Sequence, residues 1–188
     1  MKKIEIEADR VYYPMPCAIV GATVGERPNY LTVAWFSMVN PKPPCLAVAM
    51  NKAHYTNQGI RENKTFSINI PSSRLVKATD YCGLVSGKRY DKSSVFETFY
   101  GKLKTAPMVK ECPFNAELRL ISTVDLSGED LFIGEIVAAY VDEDCLTNGM
   151  PDLKKIDPFM LRPDRKYVKL GEVIAEAWEV GKTLLQGK

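Results

Sequence analysis

The stretch N-Y-L-T-V-A-W-F-S-M-V-N-P-K-P-P-C-L-A-V-A-M-N-K-A-H-Y-T-N-Q-G-I-R-E-N-K-T-F-S-I-N-I-P-S-S, residues 29–73, is the most informative part of this chain. Two apolar runs rich in β-branched and aromatic residues, Tyr30 to Val39 and Cys45 to Met50, predict strands. Asn40 to Pro44 separates them and contains three prolines. Because proline cannot donate to a sheet ladder, this segment is predicted to be an extended loop.

Upstream, the apolar run Cys17 to Val24 predicts another strand. Gly25 to Asn29 is typical of a hairpin turn, so this strand is expected to pair antiparallel with Tyr30 to Val39. Downstream, Tyr55 to Asn63 predicts a short helix with Thr56 as its N-cap.

Phe66 to Ile70 predicts the next strand. A second helix is expected to start at Ser72 or Ser73 as its cap, and Gly83 is the natural stop for it. Leu84 to Thr98 is polar, basic and glycine-containing, which predicts a long loop of the kind that often carries function.

In the second half, Asn115 to Val124 alternates apolar and charged residues and predicts a half-exposed strand. Leu131 to Val141 predicts its partner, Asp144 to Arg165 an irregular segment, and Tyr167 to Val180 a strand that leads into the tail. Trp178 is a candidate to dock there. Many strands at this spacing favour a mainly β fold, a closed antiparallel barrel rather than a βαβ sheet.

The composition excludes several classes of protein. The chain has 188 residues, a net charge of +2 and 46% hydrophobic residues, which suits one domain, 1–188, and provides no concentrated basic face for nucleic acid. Met1 to Arg10 contains no apolar segment of a secretory signal, and no run approaches the length of a membrane span. We therefore expect a cytoplasmic protein without membrane or nucleic-acid partners.

The cysteines and the histidine give no metal signature. Five cysteines are spread along the chain without a C-x-x-C pair, and His54 is the single histidine. We expect reduced, buried thiols and no metal. Glu117 and Glu135 are interpreted as ordinary outward-facing strand residues, and no hydrolytic triad is supported.

Three local patterns indicate a phosphorylated small molecule. Lys52 and Thr56 flank a helix start that favours anions, although the threonine could only cap and the lysine only be solvated. The loop from Ser86 to Lys92 combines a glycine with three cations, or is simply an exposed charged turn. Small residues near Trp35 would let a flat ring approach the strand backbone, although this tryptophan could be an ordinary core aromatic.

Taken together, these segments resemble the flavin reductase-like, FMN-binding split-barrel family, most closely its flavoredoxin branch. The residues that carry the resemblance are N-Y-L-T-V-A-W from Asn29, P-K-P-P-C-L-A-V-A from Pro41, K-A-H-Y-T-N from Lys52, F-S-I-N-I-P from Phe66, D-Y-C-G-L-V-S-G-K-R-Y-D-K from Asp80 and Y-V-K-L-G-E from Tyr167. The resemblance extends over roughly residues 10 to 175.

The resemblance implies a six-stranded antiparallel split β-barrel, a homodimer, and FMN bound near the subunit interface. It implies that a strand flanks the flavin ring, that a second group serves the ribityl-phosphate end, and that a loop closes over the phosphate. These cofactor-binding residues are, in the same order, Thr32, Val33, Ala34 and Trp35; Asn51, Lys52, Thr56 and Asn57; and Ser86, Gly87, Lys88 and Lys92.

The implied function is an oxidoreductase that moves electrons through FMN between a reduced donor, NAD(P)H or a low-potential redox protein, and an acceptor. No side chain is expected to be catalytic, because the flavin carries the chemistry. Many relatives that use NAD(P)H carry Gly-Asp-His near the C-terminus, where this chain has L-G-E-V-I-A-E from Leu170. The alternatives are a non-catalytic flavin- or haem-binding module, with His54 as the available haem ligand, and a structural barrel without a cofactor.

Overall fold

A computed structural model describes residues 1–8 and 13–187 of the chain. The strands are β1 Met15–Pro16, β2 Ala18–Val24, β3 Arg27–Val33, β4 Phe36–Pro41, β5 Pro44–Asn51, β6 Thr65–Ile70, β7 Thr98–Phe99, β8 Met108–Val109, β9 Phe114–Asp125, β10 Glu129–Val141, β11 Leu146–Thr147, β12 Met150–Pro151, β13 Phe159–Leu161 and β14 Tyr167–Lys169. The α-helices are α1 Thr56–Asn63, α2 Val76–Leu84 and α3 Leu153–Ile156, and 3₁₀ helices cover Ser73–Leu75, Glu143–Cys145 and Val180–Gly187. The fold is mainly β, as predicted.

Within residues 13–187, one antiparallel sheet of seven strands has the order β3-β2-β6-β9-β10-β5-β4. Its two edge strands, β3 and β4, are consecutive in the chain, and no ladder joins them across the described residues. The sheet is therefore a split barrel whose opening lies between β3 and β4, and the expectation of a closed barrel is wrong.

The predicted strand Tyr30 to Val39 is in fact two strands. β3 ends at Val33, opposite Ala18 of β2, and β4 begins at Phe36, opposite Val48 of β5. The break explains why the sheet has seven strands where six were expected. Alternation along the sequence continues through the break, so the pattern contains no signal for it.

The predicted loop Asn40 to Pro44 is also wrong, because the chain turns tightly there. Pro41 of β4 pairs with Pro44 of β5, and Lys42 and Pro43 form the turn. An edge strand tolerates proline because one of its sides has no ladder to complete.

Both predicted helix caps need correction. Tyr55 precedes α1 and makes no side-chain cap bond, while Thr56 is already inside the helix and buried. Ser72 precedes a 3₁₀ turn rather than α2, again without a side-chain cap bond. Gly83 lies within α2 instead of ending it.

The core lies inside the sheet and contains alternating residues of its strands. Its members include Val20, Leu31, Val48, Phe66, Ile68, Leu118 and Phe132.

Glu117 is fully buried, so its interpretation as outward-facing is wrong. Its carboxylate accepts hydrogen bonds from the Lys102 and Leu103 amides at 2.8 and 2.6 Å and from the Tyr140 hydroxyl at 2.7 Å. It therefore fixes the loop before β8, which explains why a charge is tolerated there.

The five cysteines are free and buried, as predicted. The segment predicted as irregular, Asp144 to Arg165, contains short strands and α3. Beyond β14, Trp178 is 90% exposed, so the idea that it docks on its own chain is wrong.

Among the described helices, none is both long and apolar enough to cross a membrane. The cytoplasmic location stays a prediction.

Candidate functional site

The opening between β3 and β4 forms a cavity of about 400 Å³, which we call the split cavity. Its floor is the chain segment that crosses the break and the end of β5, and its rim is the turn between β13 and β14. The lining residues are Met15, Thr32, Val33, Ala34, Trp35, Ala49, Met50, Asn51, His54, Glu129, Leu161, Arg162, Pro163 and Arg165. All four residues predicted to flank a flat ring therefore line one cavity of a size typical for ligands.

The floor combines fixed side chains with a backbone that has left the sheet. The Trp35 carbonyl still accepts from the Ala49 amide at 2.9 Å, and the Trp35 indole donates to the Met15 sulfur at 3.0 Å. The Thr32 hydroxyl faces α2, where it donates a hydrogen bond to the Thr79 carbonyl. Trp35 is 50% exposed, so its interpretation as a core aromatic is wrong.

Asn51 joins the split cavity to the helix that follows. Its carbonyl accepts from the His54 amide at 3.0 Å, and its side-chain oxygen accepts from the Ala53 amide at 3.0 Å. Its amide nitrogen donates to Glu129 at 3.1 Å. This turn holds His54 half-buried at the end of the cavity.

The start of α1 is buried and largely hydrogen-bonded. Thr56 accepts from the Asn29 side chain at 2.7 Å. The Asn57 side chain donates to the Asn51 carbonyl at 3.0 Å and to Asp130 at 3.2 Å. Its own oxygen is buried and has no hydrogen-bond partner in the part of the chain that the structure describes.

Two cations surround Asp130, whose side chain is 3% exposed. Arg61 contacts it at 2.7 Å and Lys52 at 3.4 Å, and Lys52 also pairs with Asp125. Burial opposes ionisation of Asp130, but the hydrogen bonds from Arg61 and Asn57 outweigh it and hold its pKa below the ordinary value. The carboxylate thus holds Lys52 and Arg61 in place. Both line a cavity of about 490 Å³ beside α1, which we call the helix cavity.

The loop of Ser86 to Lys92 closes a third cavity of about 320 Å³, the loop cavity. The Ser86 carbonyl accepts from the amides of Arg89 and Tyr90 at 2.9 and 3.0 Å. A Cβ at Gly87 would lie 1.9 Å from the Asn29 side-chain oxygen and 3.1 Å from the Tyr55 ring. Only glycine fits at this close approach.

The two predicted lysines of this loop differ. Lys92 is buried, and its ammonium donates to the carbonyls of Tyr30 and Cys82 at 2.9 and 2.7 Å. Burial lowers its pKa. Lys88 is exposed, and its ammonium has no hydrogen-bond or ion-pair partner among residues 1–8 and 13–187. Lys92 therefore anchors the loop, while Lys88 is available to a ligand.

The three cavities lie next to one another, because neighbours share lining residues, and we call the three together the groove. His54 lines both the split and the helix cavity. Tyr55 and Lys88 line both the helix and the loop cavity. Eleven of the twelve predicted residues lie along this groove or hold its walls; Ser86 lies beside it and supports the loop through its carbonyl.

Two further residues considered from the sequence have different positions. Cys45 is buried, its thiol donates to the Pro43 carbonyl at 3.3 Å, and it does not line the split cavity. His54 does line it. Burial is the main cause of its lowered pKa, so the imidazole is mostly neutral at pH 7.

Sequence reasoning missed the rim. A hairpin more than a hundred positions after the floor provides Arg162, Pro163 and Arg165. Met15 and Glu129, from other strands, also line the split cavity. The pairing of β1 with β13 is what brings this hairpin to the opening. A basic turn containing proline is too common to have indicated this.

The comparison with known families agrees with this geometry. Residues 10–169 match the flavin reductase like domain. The chain belongs to this family. A relative of it without an assigned function, from Aeropyrum pernix, is 30% identical over 164 residues, which is 85% of this chain. The chain spans 62% of the length of that relative.

Among solved structures, two flavoredoxins are similar to this member of the family over nearly its whole length. The flavoredoxin from Methanosarcina acetivorans is 49% identical, with a TM-score of 0.96 over 98% of this chain and 100% of the other. The flavoredoxin of Desulfovibrio vulgaris (Miyazaki F) is 39% identical, with a TM-score of 0.89 over 96% and 100%. The resemblance to the flavoredoxin branch is confirmed.

Proposed function

We propose that the chain is an FMN-binding oxidoreductase of the flavin reductase and flavoredoxin type, which moves electrons through the bound cofactor. The observation that carries the proposal is the row of three adjacent cavities, with a small-residue floor at one end and cations at the other. That order matches a flat ring followed by a ribityl chain and a phosphate.

Three features of the groove fit FMN. Gly87 leaves room where any side chain would collide. The orphaned oxygen of Asn57 lacks a donor, which a hydroxyl of the ribityl chain would provide. Lys52, Arg61 and Lys88 line the same cavity next to α1 and suit a phosphate.

When bound, FMN supplies the two-electron chemistry, and the protein positions and tunes it. We assign the ring to the split cavity, with Val33, Ala34 and Trp35 as its floor. Thr32 holds the floor against α2, and Lys92 holds the loop in place. No side chain of the groove is assigned the role of nucleophile or general base.

We propose a low-potential redox protein as the electron donor, in preference to NAD(P)H. The segment in which many relatives carry Gly-Asp-His is here Leu170 to Glu176, and its described residues do not line the groove. This choice distinguishes the chain from a flavin reductase that uses a nicotinamide directly. We further propose that the chain forms one flavin reductase-like domain, acts as a homodimer and works in the cytoplasm.

The test is to add excess FMN to the purified protein, remove free ligand by desalting and record the visible spectrum. About one retained FMN per chain supports the proposal. A colourless protein without flavin-reducing activity would contradict it and favour a structural barrel. The same sample titrated with haemin tests the alternative module, because only a haem protein would lose its absorption band when His54 is replaced by alanine.

A further inference from the structure

A further cavity, of about 530 Å³, lies between the 3₁₀ turn Ser73–Leu75, the turn that follows β10, and α3. In the part of the chain that the structure describes, it shares no lining residue with the three cavities of the groove. Because the buried Cys145 is one of its lining residues, we call it the thiol cavity.

Three side chains of the thiol cavity can bind a metal ion. Asp142, Asp144 and Cys145 each offer one donor atom, and these three atoms lie within 4.8 Å of one another. Among residues 1–8 and 13–187, no other group of histidine, cysteine and carboxylate donors is as compact. A tetrahedral zinc ion needs about 3.5 Å between its ligand atoms. Both aspartates are exposed, so a small rotation of their carboxylates is enough to reach that spacing.

The backbone already holds the three donors together. They lie in one turn, which consists of Asp142 and the 3₁₀ helix Glu143–Cys145. The Asp142 amide donates to the Pro113 carbonyl at 3.0 Å, and the Cys145 amide donates to the Asp142 carbonyl at 2.9 Å. On the other side, the Asp152 amide, at the start of α3, donates to the Cys145 carbonyl at 2.9 Å. Metal binding would therefore have to order only side chains.

The two carboxylates lack a cation. Neither Asp142 nor Asp144 has an ion-pair partner within the described ranges of the chain. Arg74 and Lys155 line the same cavity, but the Lys155 ammonium donates to the Leu146 carbonyl. Two neighbouring negative charges repel each other, and a divalent cation between them removes that repulsion.

A second observation, on the far side of the turn, points to a ligand in this cavity. Ser72 lines the thiol cavity and is only 6% exposed. Its hydroxyl has no hydrogen-bond partner among the described residues, and it is not sealed inside the core, so it opens into the cavity. A buried hydroxyl normally has a partner. Three protein donors leave one position of a tetrahedral ion open, and a water bound there can provide that partner.

We propose that Asp142, Asp144 and Cys145 bind a divalent cation of the zinc type, with one coordination position open to the thiol cavity. The sulfur donor favours zinc over magnesium and calcium, which prefer oxygen ligands. The proposal replaces the expectation of a protein without metal. The segment D-E-D-C contains neither histidine nor a C-x-x-C pair, so its sequence carries no zinc signature.

Calorimetry tests the affinity. The FMN-loaded protein is treated with a chelator, desalted and titrated with zinc chloride, and we expect one zinc per chain with a dissociation constant of about 1 μM or lower. Cys145→Ser should weaken binding about 100-fold and Asp144→Asn about tenfold, because each removes a donor. Glu143→Gln is the matched control: it removes a charge from the same turn but no donor of the group, so we expect the affinity to stay within about twofold of wild type.

X-ray absorption at the zinc edge tests the ligands. We expect one sulfur neighbour at about 2.3 Å in wild type and in Asp144→Asn, and none in Cys145→Ser. The wild-type and Asp144→Asn proteins decide the question even if Cys145→Ser does not fold. A protein that binds no zinc, a zinc ion without a sulfur neighbour, or an equal loss of affinity in Glu143→Gln would each overturn the site.

Retained FMN, measured on the same samples, reports separately on the proposed function. Because the thiol cavity and the groove have no lining residue in common across the described chain, Asp144→Asn should leave the FMN content unchanged. Zinc bound with a sulfur neighbour in a protein that retains no FMN would support the metal site and contradict the proposed function.

Discussion

The two ends of the groove differ in the interactions that shape them. At the split cavity, a break between β3 and β4 exposes a backbone floor, and Trp35 is tied to Met15 by its indole. At the helix and loop cavities, charge dominates: Asp130 holds Lys52 and Arg61 in position, and Lys92 anchors the loop that presents Lys88. The split cavity is thus defined by the shape of the backbone, and the helix and loop cavities are defined by charges on a rigid support.

The largest effect on FMN affinity is expected at Gly87 of the loop cavity. Gly87→Ala places a Cβ 1.9 Å from the Asn29 oxygen of β3 and 3.1 Å from the Tyr55 ring, so the loop must move away from both. We expect FMN affinity to fall about 100-fold, equivalent to about 2.8 kcal/mol. Fluorescence quenching of FMN measures it. Gly128→Ala is the matched control, because a Cβ there meets nothing within 4 Å; equal losses in both variants would refute the argument.

Lys92 and Lys88 lie in the same loop, but we expect the first to stabilise the fold and the second to bind the ligand. Lys92→Met removes two hydrogen bonds of a buried ammonium, so the free energy of unfolding is expected to fall by about 2–4 kcal/mol. Lys88→Met should change that free energy by less than about 0.5 kcal/mol and weaken FMN binding about tenfold. Urea unfolding and FMN titration of both proteins check this. If Lys92→Met is as stable as Lys88→Met, the division between the two is wrong.

Asp130, which holds Lys52 and Arg61 in position, should make the free energy of unfolding depend on pH. Asp130 titrates below the value of about 3.9 that it has when unfolded, so its stabilising contribution is complete above about pH 5 and is lost as the pH falls through the lowered pKa. Asp130→Asn is expected to cost about 2 kcal/mol at pH 7, and the difference from wild type should shrink below pH 4. Urea unfolding from pH 7 to pH 3 measures it.

Asp125→Asn serves as the control, because that side chain is 82% exposed and its ion pair with Lys52 is worth about 0–1 kcal/mol. A difference between Asp130→Asn and wild type that stays constant from pH 7 to pH 3 would count against the proposed linkage.

The smallest effect is expected at the junction of the two ends. His54 borders both cavities, and because burial lowers its pKa it brings little charge to the phosphate at neutral pH. His54→Ala and Cys45→Ala should each keep FMN affinity within about threefold of wild type, with no change between pH 7 and pH 8. Electron transfer abolished in either variant while FMN stays bound would show that a side chain takes part in the chemistry.

The helix and loop cavities were more predictable than the split cavity. Lys52, Thr56 and Asn57 are close in sequence, as are Ser86 to Lys92, so local patterns could indicate both groups. Their roles were less predictable. The sequence predicts Thr56 as a helix cap, but its hydroxyl accepts a hydrogen bond from the Asn29 side chain. It predicts Lys92 as a phosphate ligand, but its ammonium donates hydrogen bonds to two backbone carbonyls. A local pattern specifies residue type and spacing, whereas the partners come from distant strands.

The sequence by itself determined that the fold is mainly β, the positions of two short helices, the burial of the cysteines and, through the resemblance, the family and its cofactor. These properties follow from periodicity, turn chemistry and spacing, which are local along the chain. Only the tertiary structure decided that the run Tyr30 to Val39 breaks into two edge strands, that the turn with Arg162 and Arg165 borders the opening, and that Glu117 is buried. Each of these depends on which strands become neighbours, and strand pairing is set by the packing of the whole sheet rather than by any one segment.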